Sequence, residues 1–130
     1  MATVYLDTSA LGRVLLDEPD TQAIRRALDR FNQHVSSRLL RVELHRLGRR
    51  EGLSDYVDGL LSGKLLIPID DEILTAAETI APTTVGTLDA IHLATAVQLA
   101  KAGELDAVMT YDKQLAAGAR EHGITVLSPS

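Results

Sequence analysis

The stretch Val4-Tyr5-Leu6-Asp7-Thr8-Ser9-Ala10-Leu11 decides the fold. A short apolar run stops on an acid and two hydroxyls, and Ala10, Leu11, Val14 and Leu15 then fall at helical spacing. That change of period predicts a strand running straight into a helix, with Asp7 at the junction. In an open parallel sheet the ligand crevice lies outside the carboxyl ends of the strands, so Asp7 is expected to face it. A plainer role is also open: Asp7 or Ser9 can cap the helix by accepting from a free backbone N–H.

The rest of the chain repeats the pattern. A turn at Asp17-Glu18-Pro19-Asp20 precedes a predicted helix over 21–31, with Ile24, Ala27, Leu28 and Phe31 on one face. His34-Val35-Ser36-Ser37 reads as a second strand, with Ser36 or Ser37 capping a helix over 38–50 that stops at Gly52. A short helix over 54–61 follows. A strand over 65–69 comes next, which Pro68 assigns to a sheet edge. A helix opens at Asp70-Asp71-Glu72 and runs to Ile80. After a loop over 81–86, the longest helix covers 87–102. A strand over 107–110, a helix over 113–122 and a strand over 124–127 complete the chain. Strands alternating with helices predict an α/β fold, a parallel sheet with helices on both faces.

Composition narrows the function. The 130 residues suit one domain, 1–130, around one core. One phenylalanine and three tyrosines leave that core to Leu, Val, Ile and Ala, and supply no base-stacking platform for single strands. The absence of cysteine excludes disulfides, thiolate zinc sites and cysteine nucleophiles, and fits a reducing cytoplasm. No apolar run has membrane-spanning length and no signal peptide opens the chain, so no membrane partner is expected. A net charge of -5 argues against a general nucleic-acid coating protein; nucleic-acid contact would need a local patch or metal ions.

Three further acids share the expected edge. Asp112 follows the 107–110 strand as Asp7 follows the first, again as crevice residue or helix cap. Asp89 lies in the first turn of the longest helix, where a carboxylate also complements the helix dipole. Glu43 sits at the margin of the face made by Leu40, Leu44 and Leu47, and calls for a partner: Arg46 or Arg50 one turn away, or a metal ion. Acids converging on one crevice would repel and desolvate one another unless a divalent cation joined them. An all-oxygen set favours Mg²⁺ or Mn²⁺ over Zn²⁺.

These stretches resemble the PIN-domain ribonucleases, most closely the VapC-like toxins of bacterial toxin–antitoxin pairs. The likeness rests on Val4 to Leu11, Arg41-Val42-Glu43-Leu44, Thr87-Leu88-Asp89-Ala90-Ile91-His92-Leu93-Ala94-Thr95-Ala96 and Met109-Thr110-Tyr111-Asp112-Lys113-Gln114-Leu115, in the family's order. It implies a three-layer α/β/α sandwich with a five-stranded parallel sheet. It also implies an acidic site of Asp7, Glu43, Asp89 and Asp112. Asp7, Asp89 and Asp112 would be metal ligands, Glu43 a ligand or the group that orients water, and Thr8, Ser9 and Thr110 orienting hydroxyls. The implied activity is Mg²⁺- or Mn²⁺-dependent endoribonuclease cleavage by metal-activated water. The implied partners are RNA, a cognate antitoxin and a second copy of the chain. Tyr111 stands where many relatives carry a basic or polar residue and bears on substrate choice.

Other acids and bases read as ordinary. Asp106 lies at the amino end of its strand, the wrong edge for the crevice. Asp70, Asp71 and Glu72 read as helix-opening charge. His92 stands one turn after Asp89 and reads first as a hydrogen-bonded helix histidine, with ligand or base as the sharper role. His34, His45 and His122 show no partner pattern. Arg38, Arg41, Arg46, Arg49 and Arg50 form the one basic concentration, either a solvated face or a contact for phosphates or a partner. Two other functions compete: a receiver-like signalling domain with an acidic pocket, and a catalytically silent scaffold. The first lacks a lysine after the last strand; the intact acid set speaks against the second.

Overall fold

The computed structural model describes residues 2–130. Five strands, β1 (Thr3–Leu6), β2 (Gln33–Ser37), β3 (Leu65–Ile67), β4 (Ala107–Met109) and β5 (Val126–Leu127), form one parallel sheet in the order β3-β2-β1-β4-β5. The helices among these residues are α1 (Thr8–Leu15), α2 (Thr21–Leu28), α3 (Arg38–Glu51), α4 (Ser54–Leu61), α5 (Asp71–Thr79), α6 (Thr87–Lys101) and α7 (Lys113–Glu121). This is the expected three-layer α/β/α sandwich. Pro68 does mark an edge, since β3 is the outermost strand. A receiver-like domain places β3 beside β1; here β2 and β4 flank β1, so that topology is not the one adopted.

The strand period of two divides the core. Val4 and Leu6 point into a cluster with Leu11, Ile24, Leu40, Leu44 and Val57, under α1 to α4. Tyr5, between them, points the other way, into a cluster with Leu93, Val97, Leu115 and Ala119 under α6 and α7. At the α3–α4 contact only glycine fits at position 48, because a Cβ there would lie 2.6 Å from Val57 Cγ2. Among the described residues no helix is long and apolar enough to cross a membrane.

Element ends differ from expectation where a hydrogen bond outweighs periodicity. α1 starts at Thr8 rather than Ala10, because Asp7 Oδ1 accepts from the Thr8 N–H. α2 stops at Leu28, and Phe31 packs against the first cluster from outside the helix. β3 ends at Ile67, since Pro68 has no N–H to continue the ladder. β4 ends at Met109, and Thr110 turns its hydroxyl to the site. β5 is only Val126–Leu127, with Ile124 buried ahead of it.

Candidate active site

The carboxyl ends of β1, the central strand, and its neighbour β4 deliver Asp7 and Asp112. Each caps a helix through Oδ1, which leaves Oδ2 for other partners. Asp7 Oδ1 caps α1 through the Thr8 N–H at 2.7 Å, while Oδ2 accepts from Ser9 Oγ at 2.7 Å and Thr110 Oγ1 at 2.8 Å. Asp112 Oδ1 caps α7 through the Leu115 N–H at 2.8 Å. The cap and crevice roles weighed for these acids are therefore compatible. The hydroxyls also tie the two strand ends together: Ser9 Oγ accepts from the Tyr111 N–H at 2.8 Å, and Thr110 Oγ1 from the Asp112 N–H at 3.0 Å.

Glu43 projects from α3 at the margin of its core face, half-buried. Neither arginine is its partner. Its Oε1 accepts from Thr8 Oγ1 and from His92 Nε2, each at 2.7 Å. His92, 1% exposed, sits on α6 with Nδ1 2.7 Å from the hydroxyl of the fully buried Tyr5. Burial alone would raise the Glu43 carboxyl; the hydrogen bonds from His92 and Thr8 outweigh it and hold the group below its ordinary range. His92 is thus the hydrogen-bonded helix histidine of the plainer reading, and its partner is a site residue. The Asp89–His92 spacing was the visible signal for it. The link to Tyr5 joins residues 87 apart in sequence, and no local pattern reports it.

Asp89, in the first turn of α6, completes the group. Its carboxyl is pushed up to about 6, first by burial, then by the negative charges of Asp112 and Asp7. The acids that follow β1 and β4 thus act on the carboxyl at the start of α6. Glu43 joins them through Thr8, whose N–H binds Asp7 and whose hydroxyl binds Glu43.

The residues set aside lie elsewhere. Asp106 Oδ2 accepts from the Thr3 N–H at 2.7 Å, at the opposite sheet edge. Asp70 caps α5 through the Ile73 N–H, and Asp71 and Glu72 form that helix's exposed first turn. His34 and His122 bond to the carbonyls of Leu28 and Ala81, and His45 lies 3.1 Å from Asp58. Of the arginine set, Arg41 reaches toward Asp58, while Arg46 and Arg50 line a groove beside Thr8 and Glu43. Tyr111 is fixed at the edge of the site: its hydroxyl donates to the Pro129 carbonyl, and the Arg13 guanidinium lies 4.0 Å from its ring centroid.

As the side chains stand, no three His, Asp or Glu residues among those described are gathered into a ligating group. What fits a cation is the unrelieved charge on Asp89, with a donor set made only of oxygens. The Asp89 carboxyl meets that of Asp112.

The PIN domain family model matches residues 4–121. The chain is 40% identical to "Ribonuclease VapC47" of Mycobacterium tuberculosis, over 97% of this chain and 96% of that one. It is 37% identical to "Ribonuclease VapC46" of the same organism, over the full length of both. A toxin–antitoxin complex from Klebsiella pneumoniae superposes with a TM-score of 0.73 at 21% identity, covering 98% of each chain. VapBC2 from Rickettsia felis bound to promoter DNA superposes with the same TM-score at 12% identity, over 98% of this chain and 99% of that one. With its acids at the carboxyl edge of β1 and β4 and relatives alike over their whole length, the chain belongs to the PIN-domain family and is of the VapC type.

Proposed function

We propose that the chain is a Mg²⁺- or Mn²⁺-dependent endoribonuclease, the toxin of a toxin–antitoxin pair acting in the cytoplasm. The observation that carries this is the placement of Asp7, Asp112 and Asp89 at the starts of α1, α7 and α6, where the first two push the Asp89 carboxyl up, in a chain whose relatives are named ribonucleases. Asp7, Asp89 and Asp112 would hold the metal, with Ser9 and Thr110 fixing Asp7. Bound there, the ion would supply charge stabilisation at the phosphoryl group and a more acidic water. Glu43 orients the attacking water and receives its proton. Attack at phosphorus would break the bond to the 3′ oxygen, which takes a proton from solvent water, leaving a 5′-phosphate and a 3′-hydroxyl.

A partner that silences the site has a surface beside it. Val42 and Leu88 are 58% and 52% exposed and line the groove next to Glu43, with Arg46 and Arg50 at its rim. An antitoxin segment with apolar side chains for that groove and an Arg or Lys for the carboxylates would cover the site. A homodimer belongs to the same reading.

Incubation with total cellular RNA, with Mn²⁺ or with EDTA, followed by end mapping, tests the mechanism. Metal-dependent cuts with 5′-phosphate ends are expected. Ends carrying 2′,3′-cyclic phosphate, or full activity in EDTA, would overturn it.

A further inference from the structure

The buried pair behind Glu43 is larger than a stray histidine requires. Tyr5 is fully buried and His92 1% exposed, so neither can reach RNA. Their rings meet edge to face, 5.8 Å between centroids and 81° between planes, which fixes the imidazole plane. The Glu43 carboxylate can only accept, so a neutral His92 carries its ring hydrogen on Nε2 and takes the Tyr5 hydroxyl as donor at Nδ1. A hydroxyl donating to Nδ1 leaves the ring hydrogen on Nε2, the nitrogen that faces Glu43 at 2.7 Å. Glu43 Oε1 then receives two hydrogen bonds, from His92 and Thr8. Its Oε2 has no hydrogen-bond partner among the described residues, and the side chain is 24% exposed.

We propose that His92 is a positioning residue, set in one tautomer by Tyr5, which with Thr8 anchors Oε1 of Glu43 and leaves Oε2 as the single working oxygen. A glutamate has three side-chain torsions and, unanchored, samples many rotamers. An anchored one presents one oxygen at a defined place, which a base or water-orienting group requires. This rests on the nuclease reading for its consequence, but its structural half is measurable without RNA.

Ring ¹⁵N chemical shifts of His92 in substrate-free protein should show a pyridine-like Nδ1 and a pyrrole-like Nε2, with Nε2 moving in Glu43→Ala. Hydrogen on Nδ1, or an Nε2 indifferent to Glu43→Ala, overturns the proposal. In cleavage assays, His92→Leu and Tyr5→Phe should lower kcat about 10–100-fold, as expected for residues behind the reacting groups, with little change in KM. His92→Gln, whose amide N–H can occupy the place of Nε2, should recover most of the loss relative to His92→Leu. Gln no better than Leu in protein that melts normally, or parent kcat in folded Tyr5→Phe, overturns the positioning role. Parent protein that cuts no RNA overturns the nuclease reading instead, while the ring shifts still decide the anchoring of Glu43.

Discussion

Replacing Asp89 by Asn should stabilise the metal-free protein, and the pH at which it does so is fixed by the structure. The folded carboxyl is pushed up to about 6, by burial first and by Asp112 and Asp7 next. The unfolded one ionises near pH 4, at about 3.9. Between these values the folded form binds more protons than the unfolded form, so raising the pH destabilises the fold. The penalty is absent below about pH 4 and complete above about pH 6. Two pKa units correspond to about 3 kcal/mol. Asp89 is only half-buried, and solvent screening reduces this to about 1 kcal/mol. For a chain of this length that is about 3–5 °C in Tm.

Asn at position 89 keeps the size and removes the charge. Thermal melts in EDTA should show parent and Asp89→Asn alike at pH 4 and the variant higher by about 3–5 °C at pH 7. Mn²⁺ should raise the parent's Tm by binding only the folded form, and the variant's less. An Asp89→Asn protein that melts below the parent at pH 7 in EDTA would refute this. It would mean that Asp89 serves only the α6 N-terminus, where a carboxylate contributes about 0.3–1 kcal/mol.

Asp7→Asn and Asp112→Asn should each lower RNA cleavage about a hundredfold or more with the far-ultraviolet circular dichroism unchanged. Asp71→Asn and Asp106→Asn should cleave like the parent, the latter losing up to about 1 kcal/mol with its bond to Thr3; equal activity losses in both pairs would put the crevice at the wrong edge. Gly48→Ala should lose about 1–2 kcal/mol in urea melts, because the clash with Val57 outweighs the helix propensity gained, and a more stable variant would contradict the packing. A co-encoded antitoxin should bind the Asp7→Asn/Asp89→Asn double variant more weakly than the parent in calorimetry; equal affinity would exclude pairing with the carboxylates.

The layers of the fold were legible because each β-strand and the helix after it change period at a polar junction. Val4 to Leu6 breaking at Asp7 and Ala107 to Met109 breaking before Asp112 are examples. What the sequence withheld was order across the sheet. Pro68 marked β3 as an edge strand, but nothing local says that β1 lies between β2 and β4. Strand pairing is a non-local choice, made when Val4 and Leu6 bury against α1 to α4 and Tyr5 against α6 and α7. The capped starts of α3 and α7 fell where expected, while α2, α5, α6 and α7 end one to three residues earlier than their periodicity suggests.

The placement of the four acids was legible for a related reason: three of them sit at starts of helices, positions that sequence punctuation exposes. Glu43 was the instructive case. Its place at the margin of a core face showed that it needed a partner, yet the candidates within reach along the helix, Arg46 and Arg50, were the wrong ones. The partners are Thr8, at the start of α1, and His92 of α6, which Tyr5 of β1 bonds in turn. The strand period explains why. Within four consecutive residues, Tyr5 turns toward the α6 layer and Asp7 leaves the sheet at its carboxyl edge, while Thr8 begins the helix and faces α3. One strand end thereby supplies a ligand candidate, a hydroxyl for Glu43 and the phenol that orients His92. Changing Tyr5 alters the far side of the sheet from Val4 and Leu6 but reaches the same carboxylate as changing Thr8, so the two substitutions should not be additive in kcat.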